Sequence, residues 1–113
     1  MKIDSYYFGN IVIDGKEYNS DVIIFADRVS SSWRRLKGHL LQLADINEIL
    51  EYNPDTIIIG TGSYGLMKIH TNVTLELKNR NIELIEEKTK KAIEIYNQIS
   101  SDRNVIAGLH LTC

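Results

Sequence analysis

Gly60, Gly62 and Gly65 follow the run Thr56-Ile57-Ile58-Ile59 at the G-x-G-x-x-G spacing with which dinucleotide-binding proteins hold a pyrophosphate. That chemistry needs a strand leading into the glycines and a helix opening directly from them, so that its first amides face the diphosphate. An acid about 20 residues further on then binds a ribose hydroxyl. Gly60 meets the first demand, and Glu86 stands near the place of the acid. The join fails, because Leu66 to His70 carries no helix start and the first residue able to cap one, Thr71, lies six residues beyond Gly65. The chain is also too short for two mononucleotide-binding halves. We read the glycines as a sharp turn and a close backbone approach after a buried strand, and expect no cofactor.

In open α/β sheets a ligand crevice lies beyond the carboxyl ends of the parallel strands. Here those ends would carry Gly60-Thr61-Gly62, Glu86-Glu87 and, if the last strand is also parallel, His110-Leu111-Thr112-Cys113. His110 and Cys113 suggest an imidazole base beside a thiol nucleophile. Residues three apart on one strand point to opposite faces, however, and a terminal carboxylate beside the thiol disfavours the thiolate, so the other reading is a packed strand end. His39, His70 and His110 are too scattered to argue a metal site from spacing, and no catalytic or metal-binding set is assigned. Trp33-Arg34-Arg35-Leu36-Lys37-Gly38-His39 is the one local concentration of positive charge with an aromatic. It could take a carboxylate or phosphate, with Trp33 as apolar wall and Arg34 as a fork of donors, or be a solvated loop with Trp33 tucked onto the sheet. Asp21 and Asp27 bracket an apolar strand and could pair with these arginines, each surface pair contributing under about 1 kcal/mol.

The elements that would position these groups follow from pattern. Residues 6–25 predict a hairpin turning at Asp14-Gly15, with Val22-Ile23-Ile24-Phe25 in its second arm. Residues 26–42 show no sustained period and predict a long irregular connection with room for a short strand. Asp45-Ile46-Asn47-Glu48 has the carboxylate and glutamate of a capping box, which predicts a helix from Asp45 that Asn53-Pro54-Asp55 ends. Thr56-Ile57-Ile58-Ile59 reads as a strand covered on both faces, at the centre of a sheet. Over 71–80, Val73, Leu75 and Leu77 alternate like a strand, but Val73 and Leu77 also form an i, i+4 pair, and the prediction is helix. A strand over 82–85, a helix over 89–100 with Ala92, Ile95, Tyr96 and Ile99 facing the core, and a strand over 105–111 complete the chain. The direction of that last strand is open.

One domain over residues 1–113 is expected, since the length suits a single core. With 13 basic and 15 acidic side chains the net charge is -2, which offers no general attraction to nucleic acid or anionic membrane. No apolar run approaches the ~20 residues of a spanning helix, and the N-terminus lacks a secretory pattern; a soluble, cytoplasmic protein is the expectation. The single cysteine has no internal partner.

Ser20-Asp21-Val22, Trp33-Arg34, His39, Ile59-Gly60-Thr61-Gly62, Thr89 with Ala92 and Tyr96-Asn97, and His110-Leu111-Thr112-Cys113 occur in an order that resembles a known family. It is the small uncharacterised domain of archaea and bacteria, found also in the animal adipogenesis-associated protein and, more distantly, in a mitochondrial complex I assembly factor. The resemblance implies a three-layer α/β sandwich with a mixed central sheet, here an N-terminal β-hairpin followed by β-α-β-α-β. It implies no established catalytic activity, and a cavity that Trp33, Arg34, Gly60, Gly62, Thr89 and His110 help to line. With the strand-end residues, the expected pocket set is Trp33, Arg34, His39, Gly60, Thr61, Gly62, Glu86, Thr89, His110 and Cys113. The expected function is a non-catalytic domain that binds a small anionic molecule or a protein partner, as an assembly helper would, and is a monomer or weak homodimer. The alternative is a small enzyme using His110 or Glu86 at the strand ends.

Overall fold

Asp14 and Gly15 both take positive φ, 49° and 80°, as a two-residue hairpin turn requires, and the expected hairpin forms there between β2 (Asn10–Ile13) and β3 (Lys16–Tyr18) in the computed structural model, which describes residues 1–113. A further turn at Phe8-Gly9 adds β1 (Ile3–Tyr7) to β2, so the hairpin grows into a three-stranded antiparallel sheet. The expected second arm divides. Lys16–Tyr18 stays with the hairpin, while β4 (Val22–Ile24) enters the main sheet, because Ser20 and Asp21 between them offer their side chains to distant amides of Ser32 and Leu111.

The main sheet has the order β5 (Val29–Ser30), β4, β10 (Val105–His110), β7 (Thr56–Thr61), β9 (Glu83–Glu87). β10 runs parallel to β7 and β7 to β9, whereas β4 is antiparallel to β10 and β5 to β4. The last strand is therefore parallel to β7 and brings His110 level with Thr61. Every residue of β7 is buried, as its β-branched run predicts, although β10 and not β7 occupies the middle position. A short parallel pair, β6 (Leu40–Leu41) with β8 (Lys68–Ile69), ties the irregular 26–42 connection to the loop after β7.

Helix α1 (Asn47–Glu51) is preceded by a 3-10 turn, Leu43–Ile46. Asp45 does cap a first turn, but in the opposite role to that expected: its Oδ2 reaches back to accept from the Gln42 amide at 2.7 Å. Helix α2 (Thr71–Asn79) is capped by His70, whose Nδ1 accepts from the Asn72 amide, and not by Thr71. Val73 and Leu77 are buried while Leu75 is 60% exposed, so the i, i+4 pair and not the alternation is what faces the core. Helix α3 (Thr89–Ile99) buries Thr89, Ala92, Ile93 and Tyr96.

Two apolar cores lie on opposite faces of the main sheet. On one, Val105, Ala107 and Leu109 meet α3 and Ile3, Ile11 and Ile13 of the hairpin unit. On the other, Ile57, Ile59 and Ile106 meet α1, α2, Phe25, Met67 and Trp33. Asn97 fastens the first layer, accepting from the Ile3 amide at 3.0 Å and donating to the Ile3 carbonyl at 2.9 Å. The result is the three-layer α/β sandwich with a mixed central sheet. No helix is long and apolar enough to cross a membrane.

Candidate functional site

The chain after β7 does not coil at the glycines. Gly62 and Gly65 have φ of 107° and 69°, and the next helix begins only at Thr71. Five of the loop amides are already engaged: Gly62 donates to Thr89 Oγ1, Ser63 to the Thr112 carbonyl, Gly65 to the Gly62 carbonyl, Leu66 to the Cys113 carbonyl and Met67 to the Thr61 carbonyl. A Cβ on Gly62 would lie 2.4 Å from the Cys113 carbonyl carbon, and one on Gly60 would lie 2.9 Å from Thr89 Oγ1. These two glycines are required by the close approach of the chain's own segments, Thr89 at Gly60 and Thr112 and Cys113 at Gly62.

Those final residues are held from several sides. The Leu111 amide donates to Asp21 Oδ1 at 2.8 Å, and the Leu111 carbonyl accepts from the Gly9 amide and the Tyr6 hydroxyl. Tyr6 also meets Ser63 Oγ; since its single proton goes to Leu111, Ser63 is the donor there. Burial, opposed by the Ser63 bond, pushes the Tyr6 hydroxyl above its ordinary value, with the Asp21 charge adding to the effect. Thr89 bridges the layers, donating to the His110 carbonyl at 2.6 Å while accepting from the Gly62 amide.

Beside this junction Asp21, Arg35 and His110 form a buried polar cluster. Asp21 Oδ2 lies 2.8 Å from both Arg35 Nη2 and His110 Nδ1. Arg35 Nη2 also reaches the Gly38 carbonyl at 3.1 Å, so both its protons have acceptors, and its 3.2 Å approach to His110 Nδ1 is a contact between two donors. The Nδ1 proton therefore belongs to His110 and is donated to Asp21, which fixes the ring with Nε2 as its free end. Burial opposes ionisation of Asp21, but donors from His110, the Leu111 amide and Arg35 together outweigh it and hold the carboxyl below its ordinary value. Two buried polar atoms in the cluster have no partner, Arg35 Nη1 and His110 Nε2. An unsatisfied group of this kind costs about 1–3 kcal/mol.

A groove of about 530 Å³ opens next to the cluster, between the Ser30–Leu36 stretch and the Ala44–Glu48 turn. Ser32, at φ 58°, donates its amide proton to Ser20 Oγ; beyond it Trp33 turns inward onto Gly108, where a Cβ would lie 2.7 Å from the indole. Arg34, the next residue, is exposed and lines the groove with no hydrogen-bond or ion-pair partner, whereas Arg35 lies with its guanidinium carbon 4.8 Å from the Trp33 ring and reaches Asp21. The acids of the groove are engaged: Asp45 accepts from the Gln42 and Leu36 amides, and Glu48 pairs with Arg28.

The expected pocket set thus falls in three places. Trp33 and Arg34 line the groove. Gly60, Thr61, Gly62, Thr89, His110 and Cys113 converge at the strand ends, packed against one another, with exposed His39 edge-on to His110 at 5.6 Å. Glu86 is exposed on the edge strand, and no hydrogen bond joins it, His110 and Cys113. Arg35 and Gly108 stood outside that set. Arg35 sits in the same basic run as Arg34, and no spacing rule in the loop distinguishes which arginine turns inward.

A family model described as protein of unknown function (DUF498/DUF598) matches residues 3–110, so the chain belongs to that family. Among solved structures it is similar to the conserved hypothetical protein PH1505 from Pyrococcus horikoshii OT3, 28% identical over 100% of both chains with a TM-score of 0.88. It is also similar to the protein MT938, 29% identical over 99% of this chain and 98% of that one, TM-score 0.80. A Bordetella pertussis protein described as an Mth938-like domain shares the fold at 16% identity, TM-score 0.65, over 97% and 85% of the two chains. These agree with the expected small uncharacterised family, and they indicate no specific activity.

Proposed function

We propose that this member of the DUF498/DUF598 family is a cytoplasmic, non-catalytic binding domain whose groove takes a small molecule bearing a carboxylate or phosphate. The observation that carries the reading is Arg34. It is the cation in the groove without a partner, beside a Trp33 wall, with Glu48 paired to Arg28 and the Asp45 carboxylate turned to the Gln42 and Leu36 amides. A free guanidinium on a partly apolar surface is a fork suited to two oxygens of one anion. The enzyme alternative draws no support from the strand ends, where no hydrogen bond joins His110, Glu86 and Cys113.

Calorimetric titration with inorganic phosphate and with acetate tests the reading. Loss of a charge-assisted bond corresponds to about 1.5–3 kcal/mol, so Arg34→Ala is expected to weaken binding at least about tenfold. Arg34→Lys should fall between, since it keeps the charge and loses the fork. Equal affinity in wild type and Arg34→Ala would remove the basis of the proposal.

A further inference from the structure

Four charged side chains line the groove, Arg34 and Arg35 from one wall and Asp45 and Glu48 from the other. Two of them are matched by residues outside the lining: Arg35 meets Asp21 at 2.8 Å, and Glu48 meets Arg28 at 2.6 Å. Arg34 and Asp45 have no ion-pair partner, neither in each other nor elsewhere in the chain. The Leu36 and Gln42 amides donate to the Asp45 oxygens at 3.0 and 2.7 Å, which holds the carboxylate in place but supplies no counter-charge, and each oxygen keeps a further lone pair. The groove thus presents one unmatched cation and one unmatched carboxylate from its two walls, and its charged lining sums to zero.

Such a surface discriminates among anions. A ligand that carries only negative charge is attracted by Arg34 and repelled by Asp45, and a phosphate dianion is repelled more than a carboxylate. A ligand that carries an ammonium as well as a carboxylate opposes both charges and leaves the groove neutral. The groove, at about 530 Å³, has room for a molecule larger than acetate or phosphate. We propose that the ligand of the groove is an amino carboxylate, with its carboxylate on Arg34 and its ammonium on Asp45. This deepens the groove reading and rests on it, since Arg34 remains the residue that holds the anionic group. Asp45 is suited to the added role because two amides already fix it, so it loses less freedom on taking a cation than a mobile surface acid would.

The experiment titrates the full chain at neutral pH and low salt with glycine, β-alanine, γ-aminobutyrate and ε-aminocaproate. Each is compared with the carboxylate of the same length that lacks the ammonium: acetate, propionate, butyrate and caproate. The series varies the distance between the two charges, so the pair that spans the groove identifies itself. The expected result is that at least one amino carboxylate binds about fivefold or more tightly than its counterpart. The Leu36 and Gln42 amides, which bond to Asp45, should shift with that ligand and not with the plain carboxylate. Asp45→Asn should abolish the preference while leaving the plain carboxylate bound equally or more tightly, and Arg34→Ala should weaken both. The amide shifts are read on the unaltered chain, so they decide the matter even if Asp45→Asn does not fold. Plain carboxylates that bind as tightly as every amino carboxylate, or a preference that survives Asp45→Asn, overturn the ammonium position and leave the groove reading intact. Absence of binding by the whole series, or binding that Arg34→Ala does not weaken, overturns both.

Discussion

Asp21 gathers three partners on one buried carboxylate, which receives Arg35, His110 and the Leu111 amide. Asp21→Asn would leave Arg35 buried without its counter-charge. The expected loss is about 3 kcal/mol, read by urea unfolding near neutral pH. The pH dependence has a defined sign. The folded carboxyl lies below its ordinary value of 3.8, so its contribution is complete above that value and disappears as pH falls through the lower folded value. Acid titration should therefore narrow the stability gap between wild type and Asp21→Asn, and a gap that is constant down to strongly acidic pH would contradict the pairing. At the same scale, Thr89→Val removes both bonds of the bridge between Gly62 and the His110 carbonyl and should cost about 2–4 kcal/mol, whereas Thr89→Ser keeps them and should cost far less.

The loop after β7 distinguishes two reasons for having glycines. Gly62→Ala combines a positive φ with a Cβ driven against the Cys113 backbone, and should destabilise by about 3 kcal/mol. Gly65→Ala meets the flexible Lys88 side chain at 3.2 Å and Thr61 Oγ1 at an ordinary 3.6 Å, so its positive φ is the main penalty and it should cost about 1 kcal/mol. Thermal unfolding of the two variants checks the order; equal effects would mean that the approach of Thr112 and Cys113 is not what requires Gly62. Much of this element was legible beforehand. The missing helix start between Leu66 and His70 corresponds to a helix that begins only at Thr71, and Ile57-Ile58-Ile59 to a strand buried along its whole length. What was hidden is long-range. Val22–Ile24 reads as a continuation of the hairpin because its departure depends on Ser20 and Asp21 meeting Ser32 and Leu111. Likewise Arg34 and Arg35 are indistinguishable by type and spacing, and only the seating of Trp33 on Gly108 decides which one reaches Asp21. Glu86 was placed in the pocket from its position at a strand end, but its strand is the sheet's edge and leaves it in solvent.

At the scale of the molecule, β7 and β10 lie between the two cores, while β5 and β9 form the sheet's borders. Amide exchange should accordingly be slowest in β7 and β10, opening only with global unfolding, and faster in β5 and in the 31–39 stretch. The residues 111–113 connect the hairpin unit, the glycine loop and the Asp21 cluster, so the strand ends are closed by the chain itself and the open surface is the groove at Arg34. An amide-resolved NMR titration with acetate, inorganic phosphate and NAD, each in turn, measures that division directly. The predicted result is that acetate or phosphate shifts Ser30, Ser32, Arg34 and Asn47, while NAD leaves Gly60, Gly62 and Gly65 in place. Saturable shifts of those glycines with NAD, with the Arg34 groove silent to all three probes, would contradict it.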